Sequence, residues 1–138
     1  MADRLRLELA TPTRLVVSTE AEEVVVPGAD GYFGVLPGHA PLLALVGPGE
    51  VTYRTGRIER YLAVSGGFAE VGPDHVTILA ETAERPEEID VARARTEREQ
   101  AESRLTGRGG EDVDYPAELA ALARAQARLQ VAARPAGA

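Results

Sequence analysis

The chain has 138 residues, 44% of them apolar, only 4% aromatic and none of them cysteine, with a formal net charge of −7. That length holds one domain with an appended element and excludes a large multi-domain enzyme; the excess of acids works against nonspecific attraction to nucleic acid. The lack of cysteine excludes disulfides, thiolate metal sites and thiol nucleophiles, while every base is an arginine, so a cluster of them marks the place to look for an anionic partner.

The first segment, "RLRLEL", alternates strictly, with Leu5, Leu7 and Leu9 on one face of a strand. "RLVVS" and "EEVVVP" read as the next strands, followed by a Gly-rich bend, "PGADGYFG", around Gly28, Gly31 and Gly34. "LLALV", "EVTYRT", "RIERYLAV", "GFAEV" and "HVTILAE" continue the series, with tight turns expected at Thr55-Gly56 and at Gly72 to Asp74. Eight to ten short strands in about 84 residues, with a core of Val, Leu and Ala, predict a sandwich or flattened barrel.

Near residue 84 the pattern changes. "RPEEIDVARARTEREQAESRL" has Pro86 early, Glu87 and Glu88 in its first turn and no internal glycine or further proline, which predicts a helix reaching about Leu105. "TGRGGEDVDYP" interrupts it, and "AELAALARAQARLQVAAR" predicts a second helix with Asp114 or Tyr115 at the cap and Pro116 in the first turn. Leu119, Leu122 and Leu129 on the second helix, and Ile89, Val91 and Leu105 on the first, are few anchors for such a length. At roughly 1.5–3 kcal/mol per buried leucine, the hairpin is held by only a few kcal/mol, which suits a movable element.

No catalytic set stands out. His39 lies in "LPGHAPL" and His75 at a turn, without a nucleophile elbow or phosphate loop beside either, and two distant histidines make a poor metal site. "SGGF" at Ser65 to Phe68 reads as a bulge or turn. Arg124 and Arg128, four apart, repel by roughly 0.2–0.5 kcal/mol on a helix and gain from a shared anion. They read either as a solvated basic face or, if the helices fold back antiparallel and bring Arg93 opposite, as a phosphate site. Within "EEIDVARAR", one continuous helix would place Ile89, Asp90 and Arg93 on one side, as a local ion pair or a small binding site. "GVLPGHAPLLALV" is either a rigid turn running into a core strand or a stiff docking loop.

The strings "GVLPGHAPLL", "SGGFAEVGPDHVTILAETAER" and "IDVARA" in this order, ahead of a hairpin containing "DVDY", closely resemble the epsilon subunit family of bacterial F-type ATP synthases over almost the whole chain. The resemblance implies an α+β protein: a ten-stranded β-sandwich over residues 1–84 and an antiparallel α-helical hairpin over 85–138. It implies a rotor subunit without catalytic residues, bound to the gamma subunit and the c-ring and contributing to coupling of proton flow to ATP synthesis. The hairpin would reach the alpha/beta catalytic hexamer to inhibit hydrolysis. "IDVARA" is similar to the family's ATP-binding motif, which carries over to Ile89, Asp90, Arg93 and Ala94, with Glu84 upstream and Arg124 and Arg128 on the second helix. In those roles Asp90 and Glu84 would serve adenine or ribose, directly or by holding Arg93, and the arginines the phosphates.

Tyr32, Gly38, His39 and Pro41 are the corresponding rotor-docking candidates. ATP is the expected regulatory ligand, with no metal required; the isolated protein is expected to be a monomer that binds no nucleic acid and is peripheral on the cytoplasmic face of the bacterial inner membrane. No apolar run approaches the roughly 18 residues of a membrane-spanning helix, and the start "MADRLRLELA" lacks the apolar stretch of a signal peptide. Two other readings fit the residues alone: a stand-alone ATP-sensing module, and a β-sandwich adaptor whose helical arm binds only protein.

Overall fold

The computed structural model describes residues 3–107 and 112–135. Eight strands come first: β1 (Leu5–Ala10), β2 (Leu15–Ala21), β3 (Glu23–Gly28), β4 (Gly31–Val35), β5 (Leu42–Leu45), β6 (Gly49–Thr55), β7 (Ile58–Val71) and β8 (His75–Glu84). A single 3-10 turn at Pro86–Glu88 leads into helix α1 (Val91–Leu105), and helix α2 (Tyr115–Ala132) follows. The strands form one hydrogen-bonded sheet in the order β2-β1-β8-β7-β6-β3-β4, with β5 added on β7, and it folds over on itself as a sandwich. All neighbours are antiparallel except β1 and β8.

The alternation in "RLRLEL" is realised as expected, for Leu5, Leu7 and Leu9 are fully buried. They meet Val24 and Val26 of β3, Val51 of β6, Leu62, Val64 and Val71 of β7, and Val76 and Ile78 of β8 in one core. Among the described residues, that core contains no helical one.

Eight strands form where ten were expected. "RIERYLAV" and "GFAEV" are one continuous 14-residue strand, β7. The glycines between them, expected to form a bulge or turn, interrupt the pairing only at Gly66, opposite Glu81, and leave the register unchanged, since Ser65 pairs with Thr82 and Gly67 with Ala80. Gly66 and Gly67 both have positive φ, and a Cβ on Gly67 would run into the Leu79 carbonyl, so only glycine lets β7 stay paired there. The long strand then serves both layers, pairing with β6 along its first half and β5 along its second. The predicted bend "PGADGYFG" is instead a β3–β4 hairpin, with Gly28 opposite Gly31. The turns at Gly56, with φ of 64°, and at Gly72, whose amide donates to the His75 carbonyl at 2.9 Å, lie where the sequence put them.

The first helix begins later than predicted. Ile89 is extended, at φ −81° and ψ 127°, and Asp90 is the N-cap, its carboxylate accepting from the Arg93 amide at 3.0 Å. The turn before it is fixed by Glu88, which accepts from the Arg85 amide at 2.9 Å. At the other end Gly107, with φ of 74°, follows the C-cap Thr106. The inter-helix segment "TGRGGEDVDYP" lies partly outside the described residues; within them, Asp114 caps α2 by accepting from the Ala117 amide at 3.2 Å.

Pairing of Arg104 with Glu118 and of Glu97 with Arg128 shows that the helices run antiparallel. The side chains buried on α1 are alanines, Ala94 and Ala101; those on α2 are Ala125, Ala127 and Val131. Leu119, expected to help hold the hairpin, is 55% exposed. Small residues let the two helices approach closely, while each buried methyl stabilises by only about 0.8 kcal/mol. Helix α2 lies on β6 and β7, and α1 packs chiefly on α2.

Candidate functional site

A cavity of about 420 Å³ opens where the sandwich and both helices meet. The β1–β2 loop contributes Thr11, Thr13 and Arg14, the end of β8 contributes Glu81 to Glu84, α1 gives Arg93 and Glu97, and α2 gives Arg124 and Arg128. Four residues singled out in the sequence, Glu84, Arg93, Arg124 and Arg128, therefore line one cavity. Its volume falls in the range of small-molecule sites.

Arg128 lines it with its side chain only 17% exposed. Its Nε donates to Glu84 Oε1 at 2.8 Å and its Nη1 to Glu97 Oε2 at 3.2 Å. The other Glu97 oxygen accepts from Arg93 Nε at 2.8 Å, so one carboxylate joins an arginine of each helix. Glu84 thus holds Arg128, not Arg93. Arg124 is exposed and makes no ion pair among the described residues.

The remaining motif residues build the walls. Asp90 is used as the helix cap, a role that contributes about 1 kcal/mol, and what it binds is the Arg93 backbone, while the Arg93 side chain turns to Glu97. Ile89 is buried in a small second cluster with Ala63 and Val131, and Ala94 is fully buried, so neither faces the cavity. The expected single face of Ile89, Asp90 and Arg93 does not exist, because the helix starts after Asp90.

Arg14 was missed in the sequence. It clamps Glu88 with two hydrogen bonds, of 2.8 and 3.0 Å, and reaches the Ala83 carbonyl at 3.3 Å, which ties the β1–β2 loop to the start of the hairpin. The Arg14 guanidinium holds Glu88 below the usual carboxylate range, helped by the Arg85 amide. Seventy-four residues separate the pair, so no local pattern could have revealed it. Glu97, by contrast, is four residues after Arg93, a helical spacing the sequence did display.

The docking candidates occupy two neighbourhoods. Tyr32 is 59% exposed on β4, and its hydroxyl accepts from the Glu50 amide at 2.9 Å. Gly38 donates to the Pro73 carbonyl at 2.7 Å, His39 Nδ1 lies 2.6 Å from the Ala40 carbonyl, and Pro41 borders a shallow groove with Leu42, Leu43 and His75. A larger apolar feature continues from there. Leu45 is opposite Phe68 and Phe68 opposite Leu79, and with Leu43 they form an exposed row across β5, β7 and β8. Among the described residues no group of three or more His, Cys, Asp or Glu is placed to hold a metal, and no helix is long and apolar enough to cross a membrane.

Comparison with known proteins covers the whole of this architecture. The β-sandwich domain of the ATP synthase delta/epsilon chain matches residues 4–86, and the long α-helix domain of the same chain matches residues 87–133. The ATP synthase epsilon chain of Solibacter usitatus is 52% identical over 134 residues, 96% of this chain and 98% of its own. That of Moorella thermoacetica is 54% identical over 129 residues, 93% and 96% of the two chains. A chain in the structure of Euglena gracilis mitochondrial ATP synthase, OSCP/F1/c-ring, superposes with a TM-score of 0.80 at 23% identity, covering 97% of this chain and 84% of that one, which shows the shared fold. The chain belongs to the delta/epsilon family of the ATP synthase, among its epsilon chains.

Proposed function

We propose that this chain is a rotor subunit of a proton-translocating F-type ATP synthase whose helical hairpin restrains ATP hydrolysis and answers to ATP bound between hairpin and sandwich. Epsilon chains are non-catalytic subunits of that complex, and full-length kinship with them takes precedence over a stand-alone ATP sensor. The sandwich would dock on the gamma subunit and the c-ring. The apolar row of Leu43, Leu45, Phe68 and Leu79 and the loop carrying Gly38, His39 and Pro41 support such a role, since exposed apolar surface of this kind marks interaction sites. The hairpin would reach the alpha/beta hexamer when released. The complex would sit on the cytoplasmic face of the bacterial inner membrane, with this chain peripheral.

The observation that carries the nucleotide reading is the position of Arg93, Arg124 and Arg128 around a cavity that only the folded-down hairpin completes. A polyphosphate bound there contacts both helices and the end of β8, so it favours the compact arrangement by its differential affinity. Ile89, Asp90 and Ala94 serve by starting and seating α1 so that Arg93 faces the cavity.

Calorimetric titration of ATP into the full chain and into Arg128→Ala tests this, with magnesium and with EDTA. Saturable binding, weakened roughly 10- to 100-fold in the variant, is expected from the loss of a charged hydrogen-bonding partner. Equal affinity in the two proteins would remove the site, and absence of binding would leave the protein-only adaptor reading of the hairpin.

A further inference from the structure

Two of the three helix arginines that line the cavity are bridged by a carboxylate. Glu97 Oε1 lies 2.8 Å from Arg93 Nε and Glu97 Oε2 lies 3.2 Å from Arg128 Nη1, so both its oxygens are engaged, one by each helix. A carboxylate seated between two guanidinium groups occupies the cradle that a phosphate oxygen pair would take. The cavity's charge is nearly balanced, and Arg14 is already engaged by Glu88. Its four arginines, Arg14, Arg93, Arg124 and Arg128, face three glutamates, Glu81, Glu84 and Glu97, which is a poor host for a polyanion while all three remain.

The two carboxylates on Arg128 are not equivalent. Glu84 ends strand β8 and meets Arg128 with both oxygens, at 2.8 and 3.4 Å, so it fixes the guanidinium from a rigid element. Glu97 stands on an exposed helix face with its side chain 38% accessible, and rotation about its side-chain bonds carries it into water without disturbing the helix.

We infer that Glu97 is an internal competitor of the bound anion: it holds Arg93 and Arg128 together when the site is empty and must swing aside for the phosphates of a nucleotide, which sets the affinity of this chain low. The assignment rests on the nucleotide reading of the cavity. It makes Glu97 an affinity-determining residue with the opposite sign to the arginines, since its removal strengthens binding. The same carboxylate also holds the two helices of the hairpin to each other, because it links α1 to α2.

The test is calorimetric titration of ATP into the full-length chain and into E97Q, E97A and E99Q, each with excess EDTA and again with magnesium. Glu99 is an exposed acid of α1 that does not line the cavity, so E99Q reports the effect of one lost negative charge alone. Binding about tenfold tighter in both Glu97 variants, with E99Q within about twofold of the parent chain, is the expected result. Binding by the Glu97 variants where the parent chain shows none supports the inference equally. Unchanged or weaker binding in the Glu97 variants, with the parent chain still binding and Arg128→Ala still impaired, overturns the inference and leaves the nucleotide site standing. Weakening confined to magnesium would show Glu97 as a metal-linked ligand and also overturns it, as does an equal gain in E99Q. Failure of every protein, the Glu97 variants included, to bind millimolar ATP removes the competitor and the site together.

Discussion

Arg128 shows how a residue's role follows from what reaches it. Its place four residues after Arg124 marked it as a candidate, but the sequence could not distinguish a solvated cation from one with 17% of its side chain exposed between two carboxylates. The "IDVARA" string was legible as a motif and misleading as geometry. Periodicity assigns Ile89, Asp90 and Arg93 to one helix face, whereas a 3-10 turn and the Asp90 cap divide them into a buried anchor, a cap and a single cavity-facing arginine. His75 carries a prediction at this scale. Asp74 at 3.0 Å and Glu70 at 3.1 Å hold its imidazole, and these two hydrogen bonds, Asp74 first, raise its pKa above the ordinary 6.5. The favoured form is the protonated one, so its contribution to stability is complete below 6.5 and is lost as pH rises through the raised folded value. An NMR titration of the imidazole should give a midpoint above 6.5 that falls in Asp74→Asn; a midpoint at or below 6.5 in the parent chain would contradict the pairing.

At the scale of elements, local chemistry was readable and tertiary partnership was not. Alternation gave β1, glycines gave the turns, and Pro116 beside Asp114 gave the start of α2. Two apolar runs either side of "SGG" looked like two strands, because only pairing with β8, which keeps one register on both sides of Gly66, reveals that they are one. Leucine counting read the hairpin as thinly packed but named the wrong contacts for a related reason: its seam is made of alanines, and it is attached to the sandwich by polar side chains. Glu50, its side chain 7% exposed, accepts from Arg134 at 3.0 and 3.1 Å and from Gln130 at 3.4 Å, while the Arg134 guanidinium lies 4.6 Å from the Tyr61 ring centroid. These contacts clamp the end of α2 to β6 and β7. Glu50→Gln should weaken hairpin docking by about 1–2 kcal/mol and speed amide hydrogen exchange throughout α2 while β1 and β8 keep their protection. Unchanged exchange in α2 would show that the clamp does not hold the helix.

In the whole molecule, the core of the sandwich closes without the helices, and among the described residues a separate small apolar cluster joins Val131 and Ala132 of α2 and Ile89 to Ala63 and Tyr61 of β7. The change of composition near residue 84 announced that division. What it could not announce is that the arginine cavity and the Glu50 clamp are both built from side chains of the two parts, which makes the seated hairpin a state that ligand and charge can bias. A chain without cysteine allows that state to be followed cleanly, by labelling Arg57→Cys in the β6–β7 turn and Thr106→Cys at the end of α1 and recording single-molecule energy transfer between them. Saturating ATP should shift the distance distribution toward a single compact population in the otherwise unaltered chain and leave it unmoved when Arg128→Ala is added. A distribution that ATP does not change in either protein would contradict an ATP-responsive hairpin.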